Sequence, residues 1–414
     1  MKFIISTFKQ CSMPLLIFLI LLSRLFVYRG VDWNSGLGGG LGQMYYMVLA
    51  VILLACSYTK RVSCHGEIYK SVSILTVIFI GSIVVAFINE GQGVYYSIKG
   101  LCNYAYVPIL LYFYLNKKQI ENKAVIYTLV VLFIIYLIIY GYSYAIFPDY
   151  RFGMVSDIEE KLLNDFETRG VLRAYIPYED LITIFFFYII SNKLKNGKYK
   201  LMVFFFLCFL TIIRGTRFII AGTFLVGFFL YFKQIKGNVL KSVLGLLIVL
   251  LIIYMYVQIF GLPPFFDNYI ELSQKDQDSG EENIRILMTL YYLFDFDASW
   301  SAILFGHGLP VKSTFADMKT DLMQLGFYAD DVGYVELYLY FGVIGIISLF
   351  YLLYNVVKTE VPRQFLFAKY YIYYIFVTML CGRYLLNNMA LIVVMLYLIE
   401  NNRIITNRKI IWRK

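Results

Sequence analysis

Charged residues, histidines and patterned cysteines are scarce in this sequence, and each shortage excludes a class of protein. Only 15% of the 414 residues are charged, against about 25% in an average soluble domain, and 60% are hydrophobic, which excludes a soluble enzyme and a disordered chain. Histidine occurs only at His65 and His307, so a histidine-based metal site is nearly excluded, and we expect no metal ion or other cofactor. The six cysteines show no metal-ligand spacing and avoid the two long loops described below, so no disulfide framework is expected.

Long apolar runs follow one another along the chain. A bilayer core of ~30 Å is crossed by about 20 apolar residues in a helix. We therefore predict an all-α, polytopic integral membrane protein that forms a single membrane domain over residues 1–414. About twelve transmembrane helices are predicted, at 11–28, 43–59, 71–89, 100–115, 124–147, 176–192, 200–213, 216–232, 241–262, 333–354, 370–382 and 384–399. Two segments, 148–175 and 263–332, are much longer than the other connections and are predicted to be large loops on the outer side of the membrane.

The distribution of charge supports this topology. The chain carries 37 Lys and Arg against 27 Asp and Glu, a net charge of +10. With a cytoplasmic N-terminus, the inner segments hold 23 basic and four acidic residues, whereas the outer segments hold 13 basic and 23 acidic ones. Cytoplasmic loops of membrane proteins carry such an excess of Lys and Arg. Both termini are therefore predicted to be cytoplasmic, and the net charge does not indicate a nucleic-acid partner.

Arginine is concentrated on the predicted outer face. Lysine supplies 18 of the 23 inner basic residues, whereas arginine supplies eight of the 13 outer ones. Charge alone directs topology, but the planar guanidinium also binds phosphate or carboxylate through two parallel hydrogen bonds. The outer face is therefore predicted to bind an anionic, phosphorylated ligand, although pairing with outer acidic residues explains any single arginine equally well. The outer arginines are Arg29, Arg151, Arg169, Arg173, Arg214, Arg217, Arg285 and Arg383.

Three of these arginines are predicted to lie below the outer surface. Arg214 and Arg217 form a tight hairpin between two short spans, and Arg383 lies in a comparable turn. At ~1.5 Å per residue, such short spans do not cross a core of ~30 Å. Charged residues at membrane depth usually mark a pathway or a site, and the alternative is that the side chains snorkel to the interface.

The second long loop contains a predicted surface helix, followed by a glycine-flanked turn. An S-x-x-E capping pattern and apolar residues at helical spacing predict an amphipathic helix over 281–294 at the membrane surface, with Arg285 in its first turns. In the turn that follows, Gly306 and Gly308 permit either a close backbone approach or a simple bend. His307 lies between them and is either a turn residue or a general acid or base.

The same loop ends in a pair of carboxylates. Asp330 and Asp331 come just before Tyr334 and the tenth predicted span. Such carboxylates act as a general base or orient a sugar, and the alternative is a solvated helix N-cap.

The order of these motifs resembles the bacterial O-antigen (oligosaccharide repeat-unit) polymerases, within a broader group that includes the O-antigen ligases. The resemblance covers roughly residues 205–350, and the span count and the two long loops match over the whole chain. Ligases typically have a His-Asn type of pair where Asp330 and Asp331 stand, which favours a polymerase. The features that carry the resemblance are Arg285, the Gly-x-Gly turn over 304–309, the aspartate pair followed by Gly342 and Gly345, and the turn over 211–217.

The resemblance implies a glycosyltransferase at the outer face of the bacterial cytoplasmic membrane, with 148–175 and 263–332 as two large periplasmic loops. Such an enzyme joins polyprenyl-diphosphate-linked oligosaccharide repeat units into O-antigen or capsular polysaccharide and exopolysaccharide, with polyprenyl diphosphate as the leaving group. The expected partners are the lipid bilayer, the lipid-linked oligosaccharide, a chain-length regulator and a flippase. Two alternatives stay open: an O-antigen ligase, which transfers finished glycan to an acceptor, and a flippase or other transporter.

The resemblance also suggests roles for the candidate residues. The expected catalytic residues are Arg285, Asp330, Asp331 and His307, with a carboxylate or the imidazole accepting the hydroxyl proton. No metal is required, because fixed arginines stabilise the charge that develops on the leaving diphosphate. The residues expected to bind diphosphate or glycan are Arg169, Arg173, Arg214, Arg217, Arg383, Gly306, Gly308 and Tyr334.

Overall fold

The computed structural model describes residues 66–104, 112, 122–146, 178–192, 197–214, 217–234, 281–296, 299–324, 326–382, 385 and 388–404. Every regular element within these ranges is helical. The predicted spans 11–28, 43–59 and 241–262, most of the predicted span 100–115, and the first long loop, 148–175, lie outside the described residues.

The described α-helices are labelled in chain order, and the labels do not number membrane spans. They are α1 (Glu67–Glu90), α2 (Val94–Tyr104), α3 (Asn122–Ala145), α4 (Leu181–Ser191), α5 (Gly197–Arg214), α6 (Arg217–Gln234), α7 (Glu281–Leu290), α8 (Trp300–Phe305), α9 (Thr314–Gln324), α10 (Gly333–Lys358), α11 (Leu366–Thr378) and α12 (Met389–Asn401). A π-helical turn, Tyr291–Asp295, extends α7. Short 3-10 turns precede α10 at Ala329–Asp331 and flank α11 at Arg363–Phe365 and Met379–Cys381.

Eight of these stretches are apolar helices that coincide with predicted spans. Four of them are long enough to cross a membrane, namely Glu67–Glu90, Asn122–Ala145, Gly333–Lys358 and Arg363–Cys381. Four more are apolar but shorter, namely Leu181–Ser191, Leu201–Thr211, Phe218–Tyr231 and Met389–Asn401. These helices indicate a helical membrane protein, which agrees with the predicted fold class. The total of twelve spans and the placement of the long loops stay predictions.

The described helices share one hydrophobic core, in which α1 packs on α10 and α11 packs on both α4 and α12. The rings of Phe79 on α1 and Phe341 on α10 have centroids 4.4 Å apart, and Asn355 donates to the hydroxyl of Ser71 at 2.8 Å. Helix α12 is apolar on all sides and buried from Met389 to Ile399, as expected of a helix that is surrounded by others. Helices α1 and α3 instead each expose apolar side chains on one side, such as Val77 and Ile138, a surface suited to lipid.

The described segments meet at two opposite ends of the bundle. At the Glu400 end, the backbone N–H of Ile68 donates to the carboxylate of Glu400 at 3.3 Å, and Ile404 N donates to Glu360 O at 2.8 Å. At the Glu90 end, α1 finishes beside the segment 306–315, and Gly333 packs on the backbone of Gly382. This grouping agrees with the predicted alternation of loops, and the side of the membrane that each end faces stays a prediction.

The buried side chain of Lys369 caps the C-terminal end of α10. Its side chain is only 4% exposed, and its ammonium donates to the carbonyls of Val357 and Thr359 at 2.7 and 2.9 Å. The last carbonyls of a helix lack partners within the helix, and a cation there also interacts favourably with the helix dipole. Lys369 therefore stabilises the fold in addition to its predicted contribution to topology.

Replacing Lys369 with methionine is expected to lower the thermal unfolding midpoint of the detergent-purified protein. The change keeps most of the side-chain volume but leaves two carbonyls without this donor, at a cost of about 1–3 kcal/mol for each buried acceptor that stays unsatisfied. Lys358→Met is the matched control, since Lys358 is exposed at the end of the same helix. Equal midpoints for the two variants would contradict a capping role for Lys369.

Candidate functional site

The end of α1 binds the glycine-flanked turn of the second long loop. Helix α1 stops at Glu90 because Gly91 adopts a left-handed conformation with φ of 61°. The Glu90 carboxylate lies 2.6 Å from His307 Nδ1 and accepts hydrogen bonds from Thr314 Oγ1 at 2.5 Å and Phe315 N at 3.0 Å. The side chains of Glu90 and His307 are 8% and 6% exposed. A buried pair therefore joins two segments that are 217 positions apart in the chain.

Gln92 forms a second set of bonds to the same loop. Its amide oxygen accepts from the backbone N–H groups of Val311 and Lys312 at 2.9 and 3.1 Å. Its amide nitrogen donates to Leu309 O and to Ser97 Oγ, both at 2.9 Å. We call Glu90 and Gln92, with the groups that they bind in 306–315, the Glu90–Gln92 clamp.

Helix α10 is broken where this loop meets it. Gly342 has φ of 63° and ψ of −167°, a conformation that interrupts the helix. The carbonyls of Leu339 and Tyr340 accept hydrogen bonds from the backbone N–H groups of His307 and Gly308, at 2.8 and 3.1 Å. Irregular backbone within an apolar span is tolerated where protein groups satisfy it, and the loop supplies those groups here.

Both glycines of the turn make close backbone approaches, the first of the two predicted alternatives. A Cβ atom at Gly306 would lie 2.5 Å from Phe341 N, and one at Gly308 would lie 2.6 Å from Ala86 Cβ. Both residues also have φ of 77°, which favours glycine. Protein packing thus accounts for both glycines, and their contact with glycan stays a prediction.

Aromatic rings enclose the His307 side chain. Phe315 stacks on the imidazole with centroids 4.6 Å apart and an interplanar angle of 19°. Phe296 contacts it edge-on at 5.5 Å. The imidazole is therefore held on one edge by Glu90 and on its face by Phe315.

A second polar chain starts inside α10. Glu336 is fully buried one turn after the start of the helix, and the Tyr340 hydroxyl donates to its Oε1 at 2.9 Å. Lys319 on α9 donates in turn to the Tyr340 hydroxyl at 2.8 Å. The sequence contained one signal for this site, namely a carboxylate inside an apolar span, but nothing in it indicated Lys319 as the group at the other end of the chain.

The helix predicted over 281–294 is present as α7 and its π-helical extension, and its position at the membrane surface stays a prediction. Its inner face buries Met288 and Tyr292, and burial raises the pKa of Tyr292 to about 12. The Tyr292 hydroxyl donates a hydrogen bond to Phe327 O at 3.2 Å. The exposed apolar side chains form a stripe at helical spacing, consisting of Ile286, Leu287, Leu290, Leu293 and Phe294.

Arg285 and Asp331 come together next to this stripe. Arg285 Nε lies 3.6 Å from Asp331 Oδ2, and the two side chains are 46% and 45% exposed. The N-cap position of α10 is Val332, so Asp331 faces the guanidinium and does not cap the helix. Two residues predicted to act in catalysis are therefore neighbours at the Glu90 end, and both are accessible.

The remaining predicted site residues divide into three groups. Tyr334 donates from its hydroxyl to Phe376 O at 2.8 Å and so links α10 to α11. The backbone of Asp330 lies in the 3-10 turn before α10, Arg214 ends α5 and Arg217 begins α6, but the side chains of these three residues are outside the described part of the structure. Arg169, Arg173 and Arg383 lie wholly outside the described residues.

Comparison with known proteins does not assign a family. No protein-family model and no curated protein sequence matches the chain. Within the described ranges, no group of three His, Cys, Asp or Glu side chains is arranged to hold a metal ion. The chemistry of this site therefore has to be argued from its own residues.

Proposed function

We propose that the protein is an oligosaccharide repeat-unit polymerase that joins polyprenyl-diphosphate-linked repeat units into a longer glycan. The observation that carries the proposal is the juxtaposition of Arg285 and Asp331 at the Glu90 end, beside the exposed apolar stripe of α7. A half-exposed guanidinium retains hydrogen-bond donors for a phosphate. The neighbouring carboxylate is a group that orients a sugar hydroxyl or accepts its proton.

The apolar stripe of α7 supports a substrate that carries a lipid. A helix with one apolar face lies in the interface of a bilayer with that face among the acyl chains. Arg285 is on the same helix and would then be at the depth of the lipid headgroups. The diphosphate of a polyprenyl carrier occupies that depth, so the guanidinium would meet it without removing the carrier from the membrane.

The proposed reaction is one glycosyl transfer for each repeat unit added. A hydroxyl oxygen of the incoming lipid-linked unit bonds to the anomeric carbon of the growing glycan, and the bond from that carbon to the diphosphate oxygen breaks. Negative charge develops on the departing diphosphate, where a fixed cation is most effective. Arg285 supplies that cation, and Asp331, Asp330 or His307 takes the hydroxyl proton.

A transporter is less well supported than a polymerase as the function of this protein. Transporters often have broken helices whose free backbone groups bind the transported ion. Helix α10 is broken at Gly342, but His307 N and Gly308 N already bond to the carbonyls of Leu339 and Tyr340. The break is thus used to attach a loop, which fits a rigid site at the membrane surface.

The location proposed for the protein is the bacterial cytoplasmic membrane, with both termini in the cytoplasm. The sequence-based charge asymmetry supports this orientation, since the segments at the Glu400 end include Lys70, Lys358 and Arg403. The Glu90 end would then face the periplasm, where a flippase delivers lipid-linked units and a chain-length regulator acts.

The test is the glycan profile of a strain of the source organism that lacks the gene, compared with the strain carrying it. Single repeat units capping the acceptor, in place of a ladder, would support a polymerase. Long lipid-linked chains that are not transferred would contradict it in favour of a ligase. In a second assay, purified protein in liposomes is given lipid-linked repeat units, and a ladder is expected. Movement of the lipid-linked unit across the bilayer without a ladder would show a flippase.

A further inference from the structure

The two ring nitrogens of His307 have different surroundings. Nδ1 is 2.6 Å from Glu90 Oε1, whereas Nε2 makes no hydrogen bond to any residue that the structure describes. A carboxylate only accepts, so Nδ1 carries the proton in this contact. In the neutral ring, Nε2 then holds the lone pair and is the nitrogen able to accept a proton.

Glu90 is itself held rigidly. Thr314 Oγ1 and Phe315 N both donate to its Oε2, opposite the oxygen that faces His307. The ring of Phe315 also stacks on the imidazole, so the same short segment fixes the carboxylate and the histidine. Such an arrangement resembles the way in which a third group orients the base in nucleophilic enzymes.

We propose that Glu90 is a positioning residue that sets the Nδ1–H form of His307 and leaves Nε2 as the proton acceptor of the reaction. This inference rests on the polymerase function proposed above. As the hydroxyl oxygen of the incoming unit bonds to the anomeric carbon, its proton passes to Nε2. The polyprenyl diphosphate departs with the electron pair of the broken bond. The Glu90 carboxylate stabilises the imidazolium until the proton is released to water.

Glu90→Gln is the informative substitution. Glutamine keeps the size of the side chain but lacks the charge that stabilises the imidazolium. When its oxygen accepts from Thr314 and Phe315, its NH2 group donates to Nδ1 and selects the opposite tautomer. A positioned base contributes ~10²–10⁴-fold to a rate, and a misplaced tautomer loses much of it. We therefore expect kcat to fall on the order of 10²-fold in the liposome ladder assay, with KM for the lipid-linked unit unchanged within about threefold.

One control variant separates this role from the structural role of the clamp. Gln92→Leu removes the bonds to Ser97, Leu309, Val311 and Lys312 and leaves the contact between Glu90 and His307. This control is expected to lower the unfolding midpoint but to keep kcat within about threefold of the unaltered protein. If it lowers kcat as much as Glu90→Gln does, the clamp only holds the loop and the proposal is wrong.

A double substitution tests whether Glu90 acts through His307. If it does, Glu90→Gln adds no further loss of kcat to a His307→Gln variant, because the base that it positions is already absent. Losses that multiply would mean independent roles and would overturn the proposal. Failure of the polymerase proposal is distinguishable, because the unaltered protein would then form no ladder. Full activity of Glu90→Gln beside an active unaltered protein would refute the positioning role alone.

Discussion

Arg285→Ala is expected to lower the rate of ladder formation by ~10²–10³-fold, the loss typical of removing one group that stabilises the charge of a transition state. The effect is specific to chemistry, because the ion pair with Asp331 is nearly half exposed and such pairs contribute about 0–1 kcal/mol to stability. The amount of protein in the membrane and its unfolding midpoint are therefore expected to stay close to those of the unaltered chain. The measurement is the initial rate of polymer formation in liposomes at matched protein levels.

Two further variants define what Arg285 contributes. Arg285→Lys keeps the charge but not the planar fork, so a rate between those of the unaltered protein and the alanine variant would indicate bidentate phosphate binding. Arg363→Ala is the matched control, since Arg363 is also exposed but lies at the Glu400 end. Its rate is expected to match that of the unaltered protein. An unchanged ladder in Arg285→Ala would remove Arg285 from the mechanism.

Gly342→Ala is expected to destabilise the protein by roughly 2–6 kcal/mol, from two costs of roughly 1–3 kcal/mol each. The backbone angles of Gly342, φ of 63° and ψ of −167°, lie in a region that essentially only glycine occupies. A Cβ would also lie 2.3 Å from Leu304 O, a backbone atom that cannot move without displacing the loop. The free energy of unfolding of a protein is typically about 5–15 kcal/mol, so this loss should sharply reduce the amount of folded protein recovered from membranes.

Two other glycines separate the two costs of that substitution. Gly91 also has a left-handed φ, of 61°, but nothing lies within 4 Å of a Cβ added there, so Gly91→Ala measures conformational strain alone. Gly81 lies in the helical part of α1 and is equally open, so Gly81→Ala should be neutral or slightly stabilising. The unfolding midpoint is expected to be highest for Gly81→Ala, lower for Gly91→Ala and lowest for Gly342→Ala. If the unfolding midpoint of Gly342→Ala equals that of Gly91→Ala, the loop at Leu304 moves away from the added Cβ at no cost in free energy.

The elements that could be predicted from the sequence are those formed by neighbouring residues. The apolar runs at 71–89, 124–147 and 333–354 became α1, α3 and α10, because a span depends on about 20 consecutive side chains. The helix over 281–294 followed from local spacing in the same way. Arg285 was identified by its chemistry, but its pairing with Asp331 joins positions far apart in the chain and needed the fold.

Composition and periodicity by themselves determined that this is a helical membrane protein, and they located the surface helix, the glycine turn and the carboxylates of the second long loop. Only the tertiary structure decided that Glu90 is the partner of His307 and that Gly306, Gly308 and Gly342 are packing positions. It also decided that Lys319 and Glu336 meet at the hydroxyl of Tyr340. The physical reason is one of range. Helix formation and membrane insertion respond to consecutive residues, whereas a buried hydrogen bond requires two groups that the packing of distant helices brings within about 3 Å.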